Sequence, residues 1–260
     1  MSRPASEPVE AEARTVVPPA RVVAGGGSLR EQVFDALGSV YDPELDEPIT
    51  SLRFISSCEV SADGDVAVAL RLPTPQCAPN FAFLMAADAR RVVAGVPGVR
   101  SVSIVLEDHY TGDEINGAMA RGEGFTGAFP GETDDDDLEV LRELFVRKAL
   151  IARQSVVCEQ MLATGSTPQE VVGATVAELP VDSAPAQRAL ELRARLGIGS
   201  GPDAPAFVLP NGEGLTADQL TRWLRAARLV RTGLEANGGI CRSLLQVRHG
   251  LATDPEEVRG

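Results

Sequence analysis

Residues 65–72 alternate: Val66, Val68, Leu70 and Leu72 are apolar, and Ala67, Ala69 and Arg71 stand between them. That is the period of a half-buried β-strand, because successive side chains leave opposite faces. Ala62-Asp63-Gly64 precedes it and signals a hairpin, so residues 52–60 supply the partner strand. Pro73 and Pro75 end the ladder, since proline brings no N–H to a neighbour.

The flanking segments read as helices and one more strand. Ser28 and Glu31 form a capping box, and Leu29, Val33, Phe34 and Leu37 follow on one helical face until Gly38. Asp42-Pro43-Glu44 is a loop signal. Pro79 opens a helix over about 79–94. Pro97-Gly98 then turns the chain into a strand near 99–107, with Val102, Ile104 and Leu106 on one face. Helix, strand, strand, helix, strand makes a small α+β domain over 28–110, and a crossover through a helix lets the last strand pair in parallel with an earlier one.

The remainder reads as a linker or mobile loop at 111–132, which is glycine-rich, and a mostly α-helical region at 133–250. Four aspartates at 134–137 precede a helix to about 163, where carboxylates suit the positive end of the helix dipole. Thr167-Pro168-Gln169-Glu170 and Thr216-Ala217-Asp218-Gln219 are capping boxes. The helix from Thr216 is expected to end near 235 at Asn237-Gly238-Gly239, with a short helix then reaching His249. Residues 1–27 read as a disordered tail and 251–260 as a second tail.

Three landmarks carry a family resemblance: Val40-Tyr41-Asp42-Pro43-Glu44 after the first helix, Thr74-Pro75-Gln76-Cys77 after the hairpin, and Ala94-Gly95-Val96-Pro97-Gly98-Val99 before the last strand. In this order, residues 28–110 resemble the MIP18 (DUF59) family of metal–sulfur cluster assembly factors. The resemblance implies a role in metalloprotein maturation, with Asp42, Pro43, Glu44, Thr74 and Cys77 as motif residues. It implies an accessory protein and not an enzyme, handling iron or an iron–sulfur cluster transiently for a client metalloenzyme such as an oxygenase. Arg53 and Gln76 stand where many members carry glycine. They favour an alternative in which the module keeps the fold without the metal role, as a companion of a di-iron oxygenase system.

Cys77 also has an argument of its own. It lies at or just before a helix N-terminus, where free N–H groups stabilise a thiolate able to bind iron. The plain alternative is a small buried hydrophobe. Glu44 is a second candidate metal ligand, whereas Asp42 fits turn chemistry better. His109, among Glu107, Asp108 and Tyr110, could ligate a metal, although a surface histidine at a strand end fits better. Cys58 should face Ala69, far from Cys77, and reads as structural, as does Cys158. Cys241, after Gly238-Gly239, could lie at a helix N-terminus. A thiol enzyme is the third alternative, but neither His109 nor His249 is placed near Cys77 to serve as its base.

The formal charge of −13 argues against nucleic acid and anionic membranes as partners. No apolar run is long enough to span a bilayer, and the N-terminus lacks a signal-peptide pattern. The four cysteines have no paired spacing and read as free thiols, which points to the cytoplasm. A homodimer is left open.

Overall fold

The computed structural model describes residues 27–136, 138–180 and 182–250. The expected tails therefore lie outside the described residues, save Gly27. Helix α1 (Leu29–Leu37) starts at the expected box: the Glu31 N–H donates to Ser28 Oγ at 3.3 Å, and the Ser28 N–H donates to Glu31 Oε2 at 2.6 Å. The short strands β1 (Tyr41–Asp42) and β2 (Glu47–Pro48) pair antiparallel and close the Asp-Pro-Glu loop. Then come β3 (Ile55–Val60), β4 (Asp65–Arg71), helix α2 (Pro79–Ala94) and β5 (Ser101–Glu107).

Strand β4 is central, antiparallel to β3 and parallel to β5 from Asp65↔Ser101 through Arg71↔Glu107. It buries Val66, Val68 and Leu70 against α2, whose Phe83, Leu84, Met85, Ala86 and Ala89 are all buried. The α+β reading and the parallel crossover therefore hold. The hairpin register does not: Cys58 lies opposite Val68, not Ala69. The loop has three residues, with Gly64 in the left-handed region at φ 85°. A Cβ on Gly64 would overlap the Gly98 carbonyl oxygen, so this turn needs glycine for space as well as for backbone angle.

The expected linker at 111–132 is instead helical, with α3 (Gly112–Arg121) and α4 (Phe125–Ala128). Ile115, Met119 and Phe125 are buried in the same core as the sheet. The Asn116 amide stitches α3 to the end of β5, accepting from the Leu106 N–H at 2.8 Å and donating to the Leu106 carbonyl at 3.0 Å. Three of the misleading glycines mark helix edges: Gly112 opens α3, Gly122 closes it at φ 72°, and Gly124 precedes α4, while Gly117 and Gly127 lie within the helices.

Helices α5 (Glu139–Ala163), α6 (Pro168–Gly173), α7 (Ala184–Arg195) and α8 (Ala217–His249) make up the rest. Asp135 caps α5, accepting from the Val140 N–H at 3.0 Å, while Asp136 caps α4 through the Thr126 N–H at 2.9 Å. Two apolar clusters hold the helices together, one around Cys158, Phe207 and Trp223, the other around Leu150, Leu192 and Val208. Gln154, 1% exposed, pins the short segment at Val208. Its Nε2 donates to the Val208 carbonyl at 3.1 Å and its Oε1 accepts from the Val208 N–H at 2.8 Å. Gln154→Leu leaves both backbone groups buried without partners. It is expected to destabilise the fold by roughly 1–3 kcal/mol, read as a lowered urea midpoint, and an unchanged midpoint would contradict this.

The expected break at Asn237-Gly238-Gly239 does not occur, and α8 runs unbroken for 33 residues. Glycine inside a helix costs only about 1 kcal/mol, which packing can offset. Gly238 is buried, and a Cβ there would sit 3.0 Å from Glu47 Oε1. The glycine thus lets α8 close on β2. Beyond it, Arg242 pairs with Glu47 at 2.5 Å, Leu245 enters the core of the first domain, and Arg248 pairs with Asp108 at 2.5 Å. Cys241 is consequently in mid-helix, which removes any role for free helix N–H groups at that thiol.

Candidate functional site

The Asp-Pro-Glu loop is organised by Asp42. Its Oδ1 accepts from the N–H groups of Glu44 at 2.8 Å and Leu45 at 3.0 Å, the turn chemistry expected of an Asp before proline. Burial pushes the Asp42 carboxyl up to about 6, against the pull of those two N–H groups. Asp46 follows in the left-handed region at φ 50° and sends its buried carboxylate to Arg153 and Arg188. Glu44 faces the other way, toward α8, where it accepts from Asn237 Nδ2 at 3.5 Å.

Cys77 sits on the turn that closes at Thr74, its N–H donating to the Thr74 carbonyl at 3.4 Å. Thr74 Oγ1 is 3.5 Å from its sulfur. The thiol is half-buried and lies one residue before Ala78, the N-cap of α2, which supplies no capping side chain. Pro79 at the first helical position sets this start, as its sequence predicts.

His109 is brought to Cys77, contrary to the expectation that neither histidine is near it. Its Nε2 lies 2.8 Å from the Cys77 carbonyl. The Thr111 N–H points at Nδ1 from 3.3 Å, which makes Nδ1 the acceptor and Nε2 the donor. The ring holds the Cys77 backbone and stacks on Tyr110. With both nitrogens so engaged, metal ligation by His109 would require breaking one of these bonds. The signal was available in the parallel pairing. Arg71 lies opposite Glu107, so residues just past β5 must run beside those just past β4.

The departures at Arg53 and Gln76 resolve differently. Arg53 does occupy the left-handed region, at φ 59°, so its position has the backbone that glycine prefers. Gln76 has no positive φ and meets no such strain.

Three of the thiols, Cys58, Cys77 and Cys241, pack against the first domain's core, and Cys158 lies in the helical region. Cys58 lies in the sheet, where burial raises its pKa, and burial pushes the fully buried Cys158 up to about 12. Cys77 and Cys241 both pack along the edge of the first domain's core. Burial, and then the charges of Asp42, Cys77 and Glu44, push the Cys241 thiol up to about 11. Sequence reasoning had no signal for this approach, because it depends on α8 staying continuous. Among the described residues, no three His, Cys, Asp or Glu side chains converge as a metal cage. For iron or a cluster, the donor this chain offers at the motif is the Cys77 sulfur, a soft ligand of the right type.

Residues 30–104 match the family profile described as iron–sulfur cluster assembly protein. An iron–sulfur cluster carrier protein of Mycobacterium tuberculosis is 36% identical over 81 residues, covering 31% of this chain and 21% of that protein. An Fe–S protein maturation auxiliary factor of Porphyromonas gingivalis is 38% identical over 76 residues, 29% of this chain and 70% of that protein. An uncharacterized protein of Methanocaldococcus jannaschii is 32% identical over 87 residues, 34% of this chain and 90% of that protein. The chain thus spans about a fifth of the length of the mycobacterial carriers and most of the two others. The family match ends at residue 104, before α3.

Proposed function

Because this chain belongs to the iron–sulfur cluster assembly protein family, we propose that it acts in the assembly or delivery of iron–sulfur clusters, with Cys77 as the residue that touches the cargo. The observation that carries this reading is the placement of Cys77. Inside the family-matched segment, it is a half-buried thiol at an uncapped helix start, its backbone fixed by His109. In the finer reading, iron or a cluster is held transiently and passed to a client metalloenzyme such as an oxygenase component, which docks on the helical region. The protein is then an accessory factor of the cytoplasm and not an enzyme. Among the described residues no helix is long and apolar enough to cross a membrane. The His109 ring beside Cys77 is engaged by the Cys77 carbonyl and by Thr111.

The test is anaerobic reconstitution of the full chain with iron and sulfide, beside Cys77→Ala. The wild type is expected to gain a cluster-type charge-transfer band and bound iron, and the variant to lose both. Equal iron in the two proteins would remove Cys77 from the site. No iron in either would overturn carriage and leave the companion-module reading.

A further inference from the structure

The docked face of α8 carries Gly238, Cys241, Leu245 and Arg248, spaced three, four and three residues apart, which places them on one side of a helix. Three of these positions have their partners on the first domain. Gly238 abuts Glu47, Leu245 is 2% exposed within the core cluster, and Arg248 donates to the Pro73 carbonyl at 3.0 Å. Asn237, one turn before Cys241, reaches Glu44 of the Asp-Pro-Glu loop. Cys241 is therefore held between the contact to that loop and the contact to Pro73, four residues before Cys77. Cys77, Cys241 and Cys58 all pack against this core, but only Cys241 lies on the α8 face that meets both the Asp-Pro-Glu loop and Pro73.

We infer that Cys241 is the second thiol of the Cys77 site, so that a soft metal cargo is taken between two sulfurs, one from the family-matched segment and one from α8. This rests on the proposed cluster role for its biological cargo, but not for the metal site itself. The chemistry is ligation: each thiol gives its proton to solvent as its sulfur bonds the metal, with no change of oxidation state. Two thiolates are half of the four that usually hold an iron–sulfur cluster. The remaining positions are left to other ligands, which suits a cargo in transit better than a resident cofactor. Glu44 and Asp42 lie in the same neighbourhood, but hard carboxylates are the poorer match for soft metals.

The experiment titrates the full-length reduced protein with Co²⁺ alone, without oxygen, and reads the thiolate-to-cobalt absorption. Wild type, Cys77→Ser, Cys241→Ser and Cys58→Ser are compared, the last as a thiol outside the site. Serine nearly preserves size, and matching urea midpoints show that α8 stays docked. The expected result is a wild-type band that falls by about half in each of Cys77→Ser and Cys241→Ser, with affinity weakened at least tenfold, and no change in Cys58→Ser. A Cys241→Ser protein that binds Co²⁺ as the wild type does overturns the inference. So does a Cys77→Ser protein that retains the full band. Iron and sulfide reconstitution of the same proteins separates the two ideas. Cobalt bound through both thiols without cluster uptake upholds the two-thiol site and sinks the cluster role. Cluster uptake lost in Cys77→Ser but intact in Cys241→Ser does the reverse.

Discussion

Asp46→Ala is expected to destabilise the protein by about 3–5 kcal/mol, the usual effect of removing one partner from a buried ion pair. Asp46 is 3% exposed and sits at the junction of the two regions. Its Oδ2 accepts from Arg153 Nε of α5 at 2.7 Å, and its Oδ1 from Arg188 Nη2 of α7 at 2.6 Å. Arg188 is itself largely enclosed, lying over the Tyr41 ring 3.4 Å from the centroid. Without the carboxylate, the Arg188 cation stays buried with the Tyr41 ring and the exposed Glu191 as its remaining partners. Alanine would also have to hold φ 50°, which Asp and Asn tolerate better. Asp46→Asn, which keeps the turn and one acceptor, should therefore lose less. Chemical denaturation at pH 7 checks this. A loss below about 1 kcal/mol for Asp46→Ala would mean that the two arginines are solvated and that Asp46 is not the tie between the regions.

Asp42→Asn should do the opposite and stabilise the fold at neutral pH. The Asp42 carboxyl ionises near 6 in the native state, against 3.8 for an unperturbed aspartate. A raised carboxyl pKa means that the folded state holds its proton more tightly than the unfolded chain. Between about pH 4 and 6 the native state thus binds more protons, and stability falls as pH rises through that window. The full penalty, about 3 kcal/mol, is reached above pH 6 and is absent below pH 4. Asparagine keeps the oxygen that accepts from the Glu44 and Leu45 N–H groups and carries no charge. The variant is expected to be more stable at pH 7 by up to about 3 kcal/mol. Its stability should also lack the wild-type decline between pH 4 and 6. Urea midpoints across that range decide it, and parallel profiles would show that Asp42 is solvated.

The first domain was legible in sequence because its signals are local and agree with one another. The capping box at Ser28, the alternation from Val66 to Leu72, and Pro79 at a helix start each specify one element, and the structure contains all three. The errors have a common cause. Glycines read as breaks at 111–132 and at 238–239, where tertiary contacts decided the outcome. Ile115 and Phe125 have a core to enter, and Gly238 has a carboxylate to approach. The hairpin slipped by one residue because Gly64 takes the third place of its loop, which composition does not distinguish from the second. At the site, the Asp42 turn and the helix-start position of Cys77 were readable from nearest neighbours. His109 was not, because its meeting with Cys77 is fixed by strand pairing across 32 residues. Cys241 was not, because it is placed by a helix whose continuity was itself misread.

Docking a helix of the same chain on the Asp-Pro-Glu loop and Pro73 also sets a competition. Helix α8 spans roughly 50 Å and is anchored at one end beside Trp223 and at the other by Leu245. Its local concentration over the motif is fixed by the chain and is on the order of millimolar or above, however dilute the protein. Any outside segment that seeks the same face meets that tethered rival first. It must outbind it, or seize ground that α8 leaves open.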